Sequence, residues 1–496
     1  MRRTVVGAMA VAPRVCFLTD IEGNWQYVRN VVRQSQCLRF RDANERELEL
    51  RDDCMLVFGG DAGDKGDDTL HCYEELVRLK KAHPDRVVLL VGNRDVNKMR
   101  FTSELHDSEM DLRTMAAVYD AVAVQTEIRD GPAWVPKDKR GTLTKFLTTQ
   151  ALSAAEASST CLANQTRNGE LELESPLLQS VNTKVNRLHW MLSNTMGSHG
   201  DFERRRNELK RRGDGEVTDE DVLRSFVGSV QQGGVLREFL ELGCLAFIAH
   251  NTLFIHGGLV NRGASPGEVV VSVLGRVPGD PNMYEDVYEW ADKLNAWYHQ
   301  QLQEWIEHPT WTADRSSRGG NELMEYVLPS YTRSVIMGRH LADTGMPVAL
   351  PNEVAATLHA SGITRVIVGH TPHGTCPTVI PQPSSPFCEV IMCDTSYSDM
   401  NARDNRGIAA SELVLYADGR VDVYGVLEND RPIEFSTTVG SGSVIGKLLA
   451  DGTRIKAKLS DKEDEYLVFK VENGYSYTYF YRSLDELHEI GFAETD

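Results

Sequence analysis

Long apolar runs are missing from this 496-residue chain. No stretch approaches the ~18 residues that a membrane-spanning helix needs, so neither a helical span nor a membrane partner is expected. The N-terminus also lacks the shape of a cleaved leader. Met1, Arg2 and Arg3 precede a mildly apolar stretch to Val15, and the first expected strand already begins near Arg14. Paired cysteines are absent: the nine Cys are scattered and none forms a CxxC pair. That speaks against a disulfide framework and a zinc ribbon, and for a reducing compartment, with the cytoplasm as the expected location. Positive charge is in short supply, with 53 Lys and Arg against 72 Asp and Glu and a net charge of −19. A non-specific nucleic-acid binder needs a basic surface to displace counterions. The short basic cluster from Arg204 to Arg212 is interleaved with Glu and reads as a solvated helix face, so no nucleic-acid partner is expected. Internal repeats are lacking too.

What is present is an alternation of short apolar runs and helical patterns. VCFLTD (Val15 to Asp20), MLVFGGD (Met55 to Asp61) and RVVLLVGN (Arg86 to Asn93) read as buried strands, with helices over Asn24 to Arg33 and Thr69 to Lys81 between them. Continuous apolar strands separated by helices predict an α/β sheet covered on both faces. From Thr102 to Glu241 the pattern turns helical, at Val181 to Leu192, Phe202 to Arg211 and Asp219 to Val230. The polar stretch from Ala151 to Pro176 reads as a mobile loop. Strands resume at Cys244 to Ala249 and Thr252 to His256, with a helix over Tyr284 to Ile306. RVIVGH (Arg365 to His370), EVIMCD (Glu389 to Asp394) and a hairpin turning at Asp418-Gly419 follow. A tail from Val444 to Phe480 alternates apolar and polar residues like a small β module. The expected organisation is a core over 14–101 and 242–430, a mostly helical insertion over 102–241, and a C-terminal β module over 440–496.

The chemistry-bearing residues sit where those strands end. Asp20 and Glu22 stand two apart in DIEGN, Asp61 lies in GGDAGDKG, Asn93 in GNRD, His256 in HGGL and His370 in GHTPHG. Ligands of α/β sheets gather outside the carboxyl ends of strands, and glycine in each motif lets the backbone turn sharply. Carboxylate and amide oxygens combined with imidazole suit Mn²⁺, Zn²⁺ or iron. Two such ions about 3.5–4 Å apart can bind a phosphate, generate hydroxide and stabilise the leaving oxygen. One carboxylate must bridge them, and Asp61, central in order, is the natural bridge.

The series D-x-E, GDxxDKG, GNRD, HGGL and GHTP resembles the calcineurin-like metallophosphoesterases, which typically show DxH, GDxxDRG, GNHE or GNHD, HGG and a late GH. The pairing of HGGL with GHTP, and the DTS at Asp394, most resemble the branch of Ser/Thr phosphoprotein phosphatases, Shewanella-like phosphatases and diadenosine tetraphosphatases. The resemblance covers about Arg14 to Val426, without the insertion and the tail. It implies a two-layered β-sandwich flanked by helices. It also implies two divalent ions (Mn, Fe or Zn), the first on Asp20, Glu22 and Asp61 and the second on Asp61, Asn93, His256 and His370. Asp64 would support the site, and Lys65 stands where the family has a phosphate-gripping Arg. A further phosphate-gripping Arg is implied among Arg315, Arg318, Arg333 and Arg339.

Two departures mark this chain. Glu22 replaces a His ligand, and Arg94 replaces the His that protonates the leaving group, while that His's Asp partner survives as Asp95. Arg cannot serve as an acid near neutral pH. The two changes alter charge in opposite directions, as in a retuned site. The implied activity is hydrolysis of a phosphorylated substrate: a phosphoprotein, a small phosphomonoester or a dinucleoside polyphosphate. The rival reading is a non-catalytic phosphate-binding relative, in which Arg94 and Glu22 pair and one ion is lost. His373 is the first candidate for a replacement acid, and His250 reads as structural.

Overall fold

The computed structural model describes residues 12–493 apart from 113–141, 158–165, 168–169, 173–174, 214, 262–270, 330, 343, 396–408, 463 and 474–475. The N-terminal leader reading and much of the polar loop after Ala157 lie outside the described residues. The chain opens with β1 (Arg14–Leu18), followed by the parallel strands β2 (Cys54–Phe58), β3 (Val87–Leu90) and β4 (Gly243–Cys244). Helices α1 (Trp25–Gln34) and α2 (Thr69–Ala82) make the crossovers that parallel pairing requires. A second sheet comprises β5 (Ala246–Ala249), β6 (Thr252–Ile255), β7 (Arg365–Val368), β8 (Thr378–Pro381) and β9 (Glu389–Met392), in the order β8-β9-β7-β6-β5. The chain then returns to the first sheet with β10 (Ala410–Tyr416), β11 (Val421–Val426) and β12 (Pro432–Thr437), giving the order β12-β11-β10-β1-β2-β3-β4.

The two sheets stack face to face, and side-chain alternation along each strand explains why. Val15, Phe17, Met55 and Val57 of the first sheet share one apolar core with Phe254, Ile367 and Ile391 of the second. Their strand neighbours Cys16, Leu18, Leu56, Phe58, Leu253 and Val366 face the other way, into the core shared with the helices. The rings of Phe17 and Phe254 stand 5.8 Å apart across the gap. The α/β sandwich expected from the sequence is present, and no helix among the described residues is long and apolar enough to cross a membrane.

Several boundaries differ from the sequence reading. The run ending at Asn93 stops as strand at Leu90, and Asn93–Asn97 forms a short helix because Asp95 caps the Gly92 N–H at 2.7 Å. The long helix runs Val287–Glu307, started by Asp286 accepting from the N–H groups of Tyr288 and Glu289. Helix Leu143–Ala157 covers the beginning of the stretch read as a loop. Strand β12 carries the first sheet past residue 430. The tail folds into β13 (Arg454–Lys458), β14 (Glu465–Asn473) and β15 (Ser476–Ser483), an antiparallel sheet. Ile455, Ala457, Leu467 and Val468 of that sheet belong to the same core as Phe17 and Phe254, so the β module is packed into the sandwich.

Phe254 is fully buried at the centre of this core. Phe254→Ala is expected to destabilise the fold by roughly 3–5 kcal/mol, as large-to-small core changes do. Denaturant unfolding measures it, and a loss below about 1 kcal/mol would contradict the sandwich packing.

Candidate metal centre

The strand-end residues converge at one edge of the sandwich. Asp20, Glu22, Asp61, Asp64, Lys65 and His370 all have positive φ, between 45° and 79°. These six are half of the twelve non-glycine residues in that region among the described residues. Left-handed backbone in non-glycine residues is costly, and it persists where the surroundings impose it, commonly at functional sites. The glycines have a steric reason. A Cβ on Gly92 would lie 2.0 Å from Asp61 Oδ1, and one on Gly369 would lie 2.3 Å from Asp20 Oδ2.

At one end of the cluster, donor atoms of Asp61, His256 and His370 all lie within 4.8 Å of one another. His256 Nδ1 is 2.7 Å from the Gly59 carbonyl, which can only accept, so Nδ1 carries the proton. Burial lowers the His256 pKa and keeps the ring neutral. Its Nε2 is therefore a lone pair, and it faces two other acceptors, Asn93 Oδ1 at 3.3 Å and Asp61 Oδ1 at 3.6 Å. His370 Nδ1 approaches the same Asn93 oxygen at 2.8 Å, while its buried Nε2 has no hydrogen-bond partner. Burial, followed by the charge of Arg339, holds His370 well below the usual imidazole pKa. Converging lone pairs on two neutral imidazoles, an amide and a carboxylate fit a divalent cation.

The other end is different. Arg94 Nε lies 2.8 Å from Glu22 Oε1 and 3.6 Å from Asp61 Oδ2, and Nη1 lies 3.5 Å from Asp64 Oδ2. Lys65 Nζ adds a second contact to Glu22 Oε1 at 3.1 Å. Burial works against the Arg94 charge, but Glu22, Asp64 and Asp61 outweigh it and raise its pKa. A guanidinium thus stands between the carboxylates that the resemblance gives to the first ion, and Glu22 as placed does not fit that ion. Asp20 Oδ2 accepts from Thr19 Oγ1 at 2.5 Å and from the His370 N–H at 3.0 Å. Burial and the charges of Asp394 and Asp61 push its carboxyl well above the usual range.

Lys98 and the helical insertion close this side, through residues that carried no sequence signal. Asp64 takes Lys98 Nζ at 2.6 Å and Ser198 Oγ at 2.5 Å. Asp201 accepts the Lys65 N–H at 2.7 Å, and the Gly197 carbonyl accepts from Arg94 Nη1 at 3.5 Å. Burial raises the Asp64 pKa, but Lys98 and Arg94 override it and hold the carboxyl below its usual range. Only the folded chain brings Lys98 and the Ser198 turn to Asp64.

Other expected participants lie elsewhere. Asp95 is fully buried and accepts from the N–H groups of Asp61, Ala62 and Gly92 and from Tyr73 Oη, so it ties loops together beneath the site. Burial, then Asp61, raises its carboxyl to about 7. His373 faces away from the centre, with Nδ1 on Thr378 and its ring against Phe469 and Tyr477 of the C-terminal sheet. Lys456 of β13, itself buried, donates to the His373 carbonyl at 2.9 Å and so anchors the loop that carries His370. His250 bonds the Ala12 carbonyl, a structural role. Arg315 pairs with Glu109, and Arg318 with Glu104. Arg333 is exposed, and Arg339 is the one of the four whose charge acts on His256 and His370.

No protein-family model matches this chain, and no curated protein matches it in sequence. Solved structures do match. A cold-active protein-tyrosine phosphatase of a psychrophilic Shewanella species is 13% identical over 86% of this chain and 80% of its own, with a TM-score of 0.38. A protein serine/threonine phosphatase from Saccharomyces cerevisiae, with similarity to human phosphatase PP5, is 11% identical over 88% of this chain and 82% of its own, with a TM-score of 0.33. Likenesses this distant add nothing to the geometry above.

Lys98→Met would leave Asp64 with a buried charge and one fewer cation. The expected loss is roughly 3–5 kcal/mol at neutral pH. Asp64 is held below its usual pKa, so the Lys98 contribution is complete above the ordinary carboxylate range and fades as pH falls through the depressed value. Unfolding curves of both proteins at several pH values should converge in acid. A gap that is constant or grows with acidity would refute the pairing.

Proposed function

We propose that this chain is a metal-dependent phosphoesterase whose divalent cation is held by Asp61, Asn93, His256 and His370. The observation that carries this reading is the His256 tautomer. Its Nδ1–H is committed to Gly59, so its free lone pair faces the oxygens of Asn93 and Asp61, and a cation among them would satisfy all three acceptors at once. Such an ion, when bound, polarises a phosphoryl oxygen and makes hydroxide available near neutral pH. The chain's own residues supply the rest. Arg94 and Lys65 bring fixed positive charge to the same pocket, where a phosphate would compete with Glu22 for them. Arg94, as a planar fork, can grip two phosphate oxygens, whereas Lys65 acts as a point charge. Mn, Fe and Zn all suit the donor set. A second ion on Asp20 and Glu22, as the resemblance implies, requires Glu22 to release Arg94.

Asp61→Asn is expected to remove most bound metal and reduce phosphatase turnover to background. Elemental analysis of the purified variant checks this, and unchanged metal content would sink the ligand assignment.

Position 94, where the family has its acid, holds Arg94 and no imidazole, the rings beside Asn93 are the proposed ligands His256 and His370, and His373 is turned toward the C-terminal sheet. Proton donation to a leaving group is worth ~10²–10⁴-fold, so substrates that need it should suffer. Aryl phosphates and phosphoanhydrides are expected to be cleaved faster than phosphoserine peptides by a margin in that range. Equal rates on nitrophenyl phosphate and a phosphoserine peptide would show that another acid operates. The Arg94–Glu22 contact at 2.8 Å is also what a non-catalytic phosphate-binding protein would keep. Absence of turnover on every phosphate ester and anhydride, with metal and phosphate still bound, would decide for that alternative.

A further inference from the structure

A second convergence of metal-type side chains lies on the helix-facing side of the large sheet. In the β1–β2 register Arg14 pairs with Cys54 and Cys16 with Leu56, so Cys16 and Cys54 share one face of adjacent strands. On the other side of β1, Phe17 pairs with Leu413, which puts Glu412 of β10 on the Cys16 face as well. Cys37 enters from the turn after α1. The ligand atoms of Cys16, Cys37 and Glu412 all lie within 4.8 Å of one another, and all three residues are buried. The buried Cys54 thiol lies next to that of Cys37, outside this group of three, and donates to Asp53 Oδ1 at 3.6 Å.

Glu412 makes this more than a cluster of core cysteines. Its carboxylate accepts from Ser35 Oγ and from the Gln36 N–H at 2.6 Å, both neutral donors. No salt bridge to Glu412 occurs among the described residues, and Arg14 acts on it only as a weaker, more distant charge. A buried carboxylate among thiols, held by neutral partners alone, lacks a counter-charge.

We propose that Cys16, Cys37 and Glu412 form a structural site for a zinc-class divalent cation, separate from the candidate centre, with Cys54 as the adjoining thiol. Two sulfurs and a carboxylate oxygen converge, and the Cys54 sulfur next to Cys37 would complete a donor set for zinc. The thiols bind as thiolates, so their protons pass to solvent as the ion enters. The bonds from Ser35 and Gln36 orient the carboxylate, as partners of metal ligands do. A disulfide would use the sulfurs and leave Glu412 uncompensated, whereas a cation accounts for the two thiols and the carboxylate together. The ion would tie β10 and β1 to the turn after α1, beneath the strand that leads to Asp20.

The test is cobalt substitution of the full-length chain. The Asp61, Asn93, His256 and His370 centre has no sulfur donor, so a thiolate-to-cobalt charge-transfer absorption can come only from the cysteine site. The expected result is that this band appears in the wild type and persists in Asp61→Asn. Cys37→Ser should abolish it, and Glu412→Gln should weaken cobalt affinity by about 10–100-fold. Should Cys37→Ser fail to fold, the wild-type band still decides. No band, with the three thiols alkylated freely after unfolding in chelator, overturns the proposal. So does a mass lighter by two hydrogens, which would mark a disulfide. Neither outcome touches the phosphoesterase reading, whose failure would appear as loss of activity with this band intact.

Discussion

The buried carboxylate of Asp95 is the point on which the centre depends. It accepts the N–H groups of Asp61 and Ala62 from the loop after β2, that of Gly92 from the loop after β3, and the hydroxyl of Tyr73 from α2. Each of these donors would otherwise be buried and unpaired, at a cost of about 1–3 kcal/mol apiece. One side chain therefore fixes the spacing between Asp61 and Asn93. The left-handed backbone at Asp61 is tolerated because its own N–H is spoken for.

Charge balance is the second constraint. Asp20, Glu22, Asp61, Asp64 and Asp201 are all buried within a small volume, and carboxylates so arranged repel unless cations intervene. Arg94, Lys65 and Lys98 provide three cations from the chain itself, and they are concentrated on the Glu22 and Asp64 side. On the histidine side Arg94 reaches Asp61 at the longer distance of 3.6 Å. The asymmetry separates a self-neutralised half from a half that calls for an external ion. It also gives the helical insertion a role, since its Gly197–Asp201 turn holds Arg94, Asp64 and Lys65 in position.

The His370 loop shows how remote parts of the chain enter the site. The loop hangs between β7 and β8, and its far end is gripped by Lys456, Phe469 and Tyr477 of the C-terminal sheet. In sequence that sheet reads only as alternating apolar and polar residues. Its relation to His370 depends on contacts across roughly a hundred residues, which no local pattern encodes.

The legible part of the sequence was whatever local periodicity and strand-end chemistry determine. Buried strands around Val15, Met55 and Val87 follow from continuous apolar runs, and their ends carry Asp20, Asp61 and Asn93 because those runs stop at glycine-rich turns. The departures at Glu22 and Arg94 were visible as charges, and their opposition in sign anticipated that they could meet. Tertiary structure alone decided how they meet. The position of Arg94 between Glu22, Asp61 and Asp64, the pairing of Lys98 with Asp64, the turn of His373 toward the C-terminal sheet and the convergence of Cys16 and Cys37 with Glu412 all join residues from separate elements. Periodicity tells a side chain which face to occupy, but the register between strands and the packing of loops set which other side chains it finds there.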